Sequence, residues 1–312
     1  MALSAQAKEQ FQEQHQIQIK HKLEFQMVGG LALVIVGIWI GGLLFYGKAD
    51  ADGYSTNVFT ELLSVGITIF VVDRLNERRA TNQRKQDLFL QLGSQSNDFA
   101  LEAKRQLEQL GWLEEALAQK EFPRANWQGM ILKQANLASA TLWMANLANA
   151  DLRMVDLTSA ALQYANLTNA TLGGANLANA NAEFANLAGA IVAYSNLTSA
   201  KLWRSNLVNA DLQHSSLENV ILRYADLTGA DLRFANLASA TLREAELIGT
   251  NFREANLTDT DLTNARFDGN TILPDGTQWK SGTDMARFTD PSHSRYWRSN
   301  YMKSPAYSTA KL

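Results

Sequence analysis

Cysteine is absent from the 312-residue sequence, which excludes disulfides and thiolate metal sites and agrees with a reducing compartment. A charge of one sign is also missing. The formal net charge is -3 at pH 7, so no global bias points toward nucleic acid or an acidic substrate. Histidine is scarce and scattered, at His15, His21, His214 and His293. His15 and His21 do not share a helical face, and no carboxylate pattern completes a metal site around any of the four. The sequence has no P-loop, no nucleophile elbow and no glycine-rich dinucleotide turn. Acids such as Asp151, Asp211 and Asp231 stand singly and read as a solvated face. A non-enzymatic chain follows, with no catalytic residue, no cofactor and no metal.

What is present divides the chain in two. Residues 27–46 read MVGGLALVIVGIWIGGLLFY, an uncharged run of the length that crosses a bilayer as a helix. A second apolar run, about 57–75, carries Glu61 near one end. Together they predict a transmembrane helical hairpin over 27–75, following a polar segment 1–26. The first run is too long, and begins too far in, for a cleaved signal peptide. Lys20 and Lys22 precede the hairpin, and Arg74, Arg78, Arg79, Arg84 and Lys85 follow it. The positive-inside rule then places both termini in the cytoplasm, at the inner membrane. Gly37 and Gly41 form a GxxxG suited to close helix packing, within the hairpin or in a homo-oligomer. Residues 76–122 predict a helical linker, in which the second span continues to about Leu92 and ends at Gly93, followed by a helix with an N-cap at Asn97 or Asp98 and a stop at Gly111. A last short helix is expected before Pro123.

From Trp127 to Phe267, steps of five give 29 central positions, of which 24 are Leu; two places before the centre, 21 of 29 are Ala. Neither regular element buries such a pattern. Five helical steps turn a side chain by about 140°, and an odd period on a straight strand flips it to the opposite face. The leucines converge only if the chain turns a corner after every unit, so that Ala and Leu both point inward in a stacked solenoid. Asn, Gly or Ser often stands second after the centre in alternate units, as at Asn149, Ser159 and Gly189, where a tight corner demands positive φ.

These units, of the form A-(D/N)-L-x-x, resemble the pentapeptide-repeat family over 123–270. The resemblance implies an all-β solenoid, a right-handed quadrilateral β-helix with four units per coil. The hairpin and the LPDGTQW stretch also resemble membrane-anchored bacterial members. The family's abundance in cyanobacteria admits a thylakoid location. Ala182 at a centre should thin its coil, and Ser195, Ser205 and Ser215 fit inward if they bond the backbone. Residues 271–312 should cap the last coil, docking in part to about residue 300, with a disordered tail after it.

A ten-residue rhythm overlies the five. Pairs after alternate centres are bulky or charged (Trp143-Met144, Trp203-Arg204, Arg223-Tyr224), and the intervening pairs are small. With four units per coil, Met144, Tyr164, Phe184, Arg204, Tyr224 and Glu244 form one ladder. Met154, Gly174, Tyr194, His214, Phe234 and Glu254 form the other, with Arg223 and Arg233 beside them. Tyr164, Phe184, Tyr194, Arg204, Tyr224, Phe234, Arg223 and Arg233 are the candidate partner-binding residues, unless the ladders serve only to stabilise the coils. The best-supported function is a membrane-anchored scaffold for a protein partner, its other partner being the lipid bilayer. No nucleic acid is expected. The resemblance also brings in DNA mimicry against topoisomerase, but residues 125–267 hold 12 acids against 9 bases, weak for a mimic. A subunit of a membrane transport assembly is a third option, with no central ionisable residue in the spans to mark a path.

Overall fold

The computed structural model describes residues 54–113 and 117–307. It divides into two compact units at the Gln83–Arg84 boundary. Helix α1, Tyr54–Leu92, crosses that boundary. The expected span 27–46, with Gly37 and Gly41, lies outside the described residues. The expected second span is the first part of α1, which continues past Leu75 to Leu92, as the sequence suggested, through Glu77, Arg78, Arg79, Arg84, Lys85 and Asp87. Among the described residues no helix is long and apolar enough to cross a membrane.

In the second unit, α1 ends at Leu92, where the Gly93 amide bonds the Phe89 carbonyl at 3.1 Å. Helix α2, Asn97–Gln109, follows, capped at Ser96 rather than at the Asn97 or Asp98 expected from sequence. Its stop does fall at Gly111, whose φ of 67° allows the amides of Gly111 and Trp112 to reach the carbonyls of Glu108 and Leu107. Ala100, Ala103 and Leu107 of α2 and Leu88 and Leu92 of α1 belong to one buried cluster with the first coil. Trp127 is fully buried, and its indole N–H donates to the Leu92 carbonyl at 2.7 Å. The short helix expected before Pro123 lies partly outside the described residues, at 114–116; from Leu117 onward the chain already forms the first rung, which pairs at Glu121.

Every rung of the coil is one bridge long, and from Glu121 to Arg266 each bridge is parallel and joins residue i to i+20. Examples are Thr141 to Ala161, Asn146 to Asn166, Asp151 to Thr171 and Asp156 to Asn176. Four ladders therefore run along the solenoid, and four five-residue units make one coil. Central Leu residues from Leu132 to Leu257 are buried, and so is the Ala column except at Ala135 and Ala265, which are partly buried near the two ends. Units close through a turn in which the amide three residues after the centre bonds the centre's carbonyl, as Ala140 to Leu137 at 3.0 Å. The second residue after the centre has positive φ, the type II requirement. This holds in the bulky units as well as in those with Asn, Gly or Ser. Met144, Tyr164, Phe184, Tyr194, Arg204, His214, Tyr224 and Phe234 all lie between 54° and 60°.

Polar atoms inside and at the corners are matched. Ser195, Ser205 and Ser215 donate to the carbonyls of Leu172, Leu202 and Leu212 at 2.6–2.7 Å, as inward hydroxyls must. The Asn or Asp before a centre accepts the amide two residues on, as Asn206 from Val208 at 3.0 Å and Asp226 from Thr228 at 2.9 Å. Asn126, Asn146 and Asn166 also bond one another in a column, at 3.0 and 3.2 Å.

The last coil takes in one extra residue, so Asn251 pairs with Ile272 at a spacing of 21. Thr271 and Leu273 are buried beneath it, and the Trp279 ring stacks on Phe267 at 5.7 Å. A one-turn helix α3, Ala286–Thr289, buries Phe288 against the cluster. The tail stays docked past residue 300: Ser304 is buried, and its hydroxyl donates to the Glu254 carbonyl at 2.9 Å.

Candidate interaction faces of the coil

The 20-residue bridges bring the bulky residues into two columns on opposite sides of the coil. In the first column Tyr164 and Phe184 stack at 4.7 Å with their planes 3° apart, and Phe184 meets Trp203 edge-on at 4.8 Å. The Arg204 guanidinium lies 4.9 Å from the Trp203 ring centre and 5.5 Å from that of Tyr224, and Arg223 lies 5.8 Å from Tyr224. One rung earlier, Arg124 covers Trp143 at 5.1 Å. These cations rest on ring faces, an attraction of about 0.5–1 kcal/mol at exposed sites. Among the described residues neither Arg204 nor Arg223 makes an ion pair, so both keep free donors toward solvent. Tyr164, Tyr224, Arg204 and Arg223 are exposed, and Phe184 is half-buried.

The second column stacks Tyr194, His214 and Phe234 at 4.7 and 4.8 Å with planes within 6°. Its lower end is covered by the tail. Tyr301 lies 5.7 Å from Phe234, and the Ser299 hydroxyl donates to the Glu254 carboxylate. Arg233 faces this side but is not free: it binds the Asp231 carboxylate through three contacts of 2.7–3.0 Å. Arg153 does the same with Asp151, and its side chain holds that carboxyl below the usual range. Asp151 and Asp231, read from sequence as merely solvated, therefore tie corners and neutralise neighbouring arginines, while Asp211 ties its corner by accepting from the Gln213 amide and side chain.

Of the eight candidate residues, Tyr164, Phe184, Arg204, Arg223 and Tyr224 come together on one side. Tyr194 and Phe234 share the other, with Arg233 withdrawn into its ion pair. Trp203, His214 and Tyr301 are contributors that the candidate set omitted. His214 already stood in the second ladder read from sequence, 20 residues from both Tyr194 and Phe234, though not among the binding candidates. Tyr301 was not findable, because nothing local marks where a tail folds back. No group of three or more metal-ligating side chains is found among the described residues.

A family model described as pentapeptide repeats matches in eight copies, over residues 124–153, 156–192, 195–233 and 230–269. No curated protein matches the chain. Among solved structures it is similar to the pentapeptide repeat protein Rfr23 from the cyanobacterium Cyanothece 51142. Identity is 39% over 30% of this chain and 63% of that one, with a TM-score of 0.30, so the chain spans less than two thirds of Rfr23. It is also similar to HetL, a pentapeptide repeat protein involved in heterocyst differentiation regulation from Nostoc sp. strain PCC 7120. Here identity is 31% over 52% of this chain and 82% of that one, with a TM-score of 0.32. The fluoroquinolone resistance protein QnrB1 is 16% identical over 49% and 89%, with a TM-score of 0.23.

Proposed function

The chain belongs to the pentapeptide-repeat family through residues 124–269, and we propose that it is a non-enzymatic interaction module, tethered at a membrane by its N-terminal segment, that presents the Tyr164–Tyr224 face to a protein partner. The observation that carries this reading is the first column. It joins exposed rings to two arginines with free donors on a surface held rigid by the backbone ladders. Tyr, Trp and Arg are the residues that anchor protein interfaces, because they bury large area at little conformational cost.

The tether rests on sequence and on α1. The uncharged run 27–46 has the length of a span. Val65, Ile67, Ile69, Val71, Val72 and Leu75 of α1 are exposed, more apolar surface than water favours on one short stretch. Lysine and arginine distribution supports a cytoplasmic face for the module, at the inner membrane.

The test has two arms. Membranes carrying the full chain are washed at alkaline pH, and the tether predicts that the chain stays with the lipid; release into the supernatant refutes it. Partner capture from those membranes is then compared between the native chain and Tyr164→Ala with Tyr224→Ala. A specific partner lost from a variant whose coil still melts cooperatively supports the face. Unchanged capture returns the first column to a purely stabilising role.

A further inference from the structure

The second column has a missing rung. Each coil places a side chain there except the one holding Gly173 and Gly174, between Met154 and Tyr194. Positive φ does not explain the gap, since Met154 and Tyr194 adopt 58° and 60° at the equivalent places. Crowding does not explain it either. A Cβ on Gly173 would come no nearer than 3.8 Å to any atom, and one on Gly174 would lie 3.6 Å from Met154 Cγ. The two glycines therefore leave an open slot one rung high. Directly beside it stands Tyr194, 69% exposed, more than any other described aromatic of the coil. Its ring stacks on His214 at 4.7 Å on one side, and the Gly173–Gly174 rung is the next one on the other side.

A knob beside a hole of its own size is self-complementary. We propose that this face binds a second copy of the chain about a two-fold axis, with the coils antiparallel and Tyr194 of each copy filling the Gly173–Gly174 slot of the other. Reciprocal contact of this kind is what a two-fold interface requires. The two Tyr194 rings then lie one rung apart, face against face, at about the 4.5–7 Å between centroids that stacked rings prefer.

Charge distribution selects this orientation. The two central rungs on this side carry no charge: Thr171, Gly173 and Gly174, then Ile191, Ala193 and Tyr194. Above them are Lys133 and the neutral pair Asp151–Arg153; below are Asp211 and the neutral pair Asp231–Arg233. An uncharged centre inside a charged rim is the composition of an interface core. Antiparallel coils set the Lys133 rung of one copy against the Asp231–Arg233 rung of the other, and the Asp211 rung against the Asp151–Arg153 rung, so each Lys133 lies one rung from the other copy's Asp211. Parallel coils would set lysine beside lysine, aspartate beside aspartate and one Tyr194 against the other at the same height. One side of a coil over a few rungs is small beside the roughly 800 Å² per partner of a stable complex, so the association is micromolar and reversible. It occupies the side opposite the Tyr164–Tyr224 face and leaves that face open to another protein.

The experiment uses the full-length chain. Sedimentation velocity over a rising micromolar series should show a monomer–dimer equilibrium. Gly174→Tyr completes the ladder and fills the slot, in a conformation that Tyr164, Tyr194 and Tyr224 already adopt. It should weaken association by at least about tenfold while melting no lower than the native chain. Tyr194→Ala removes the knob and should weaken association similarly. Orientation is read by electron-spin distances from a single label at Gln134→Cys, which the cysteine-free chain permits. Antiparallel copies separate the two labels by five rungs, about 24 Å along the axis. A monomer at all concentrations, association unchanged in both variants, or labels within about one rung spacing of each other along the axis would overturn the proposal.

Discussion

Ala182 occupies a central position where the residues one coil above and below, Leu162 and Leu202, are leucines. Across the same coil stands Val192, so both members of that facing pair are small. A coil could respond by drawing inward, but its backbone spacing shows no such collapse. The bonds from Leu162 to Asn181 and from Ala182 to Lys201 are 2.6 and 2.7 Å, and those from Leu172 to Ile191 and Val192 to Asp211 are both 2.7 Å. These axial bonds keep both walls stacked in line with the coils above and below, so by this argument position 182 has room for about three more carbons. Ala182→Leu should stabilise the coil. Three carbons at about 0.8 kcal/mol each give roughly 2.4 kcal/mol. Ordering the new side chain costs about 0.5–1 kcal/mol. The net gain is about 1.5 kcal/mol, or roughly 3–6 °C in melting midpoint for a unit of this size. Urea titration of the full chain measures it, read as a higher midpoint at constant slope. The reverse change, Leu162→Ala, should cost about 2–5 kcal/mol. If Ala182→Leu instead lowers stability by about 1 kcal/mol or more, neighbouring side chains already fill the space and the argument from fixed ladder spacing is wrong.

Trp127→Phe removes the indole donor to the buried Leu92 carbonyl while keeping a ring in place. It should cost about 1–3 kcal/mol and speed hydrogen exchange at Ala100 and Ala103, with the middle coils unaffected. Low pH should loosen the corners. The Arg153 side chain holds the Asp151 carboxyl down, the Thr263 hydroxyl does so for Asp261, and the Gly249 amide does so for Asp268. Each depressed carboxyl contributes stability that is complete above its unfolded value of about 3.9 and is lost as pH falls through the lower folded value. Thermal midpoints should therefore be flat from neutral pH to about 5 and fall below about 4, and a decline starting near neutrality would contradict the assignment. Tyr301→Ala with Ser304→Ala should free the tail from Phe234 and Glu254, seen as protease cleavage after residue 290 with the coil's melting midpoint little changed.

How much of this was legible depends on where each residue finds its partner. Leu137, Leu142 and their successors are read directly, because an inward position is a property of the unit itself. The inward serines are read the same way, since a buried hydroxyl has a carbonyl of its own or a neighbouring coil to bond. Four units per coil cannot be read from a period of five; it is fixed by the parallel pairing of residues 20 apart. Asp231 looked solvated in sequence because Arg233 stands only two residues away, which on a straight strand would place both on one face without specifying a bidentate contact. The corner supplies that contact by turning the pair toward each other. The tail was the least legible part. Ser304 bonds Glu254, a partner 50 residues distant, and no local pattern encodes that distance.

The corners also explain why the two columns carry the variation. A tyrosine or phenylalanine at φ near 59° opposes the intrinsic preference of the residue by about 1–2 kcal/mol. Asn or Gly would relieve it, and the small units use them. In the bulky units a ring can hold this conformation because another ring lies 4.7–4.8 Å away on the next coil. The stabilisation of each such pair, about 0.5–1.5 kcal/mol beyond its buried area, is of the same size as the strain. The choice of side chain at each bulky corner is therefore set by the residue 20 positions away, with little stability gained or lost. Stability so nearly balanced leaves these positions free to differ from coil to coil, whereas each buried leucine is held by packing worth several times more. On that account a Gly173–Gly174 gap or a Trp203–Arg204 rung is tolerated by the fold at small cost, and surface recognition can be written there without rewriting the core.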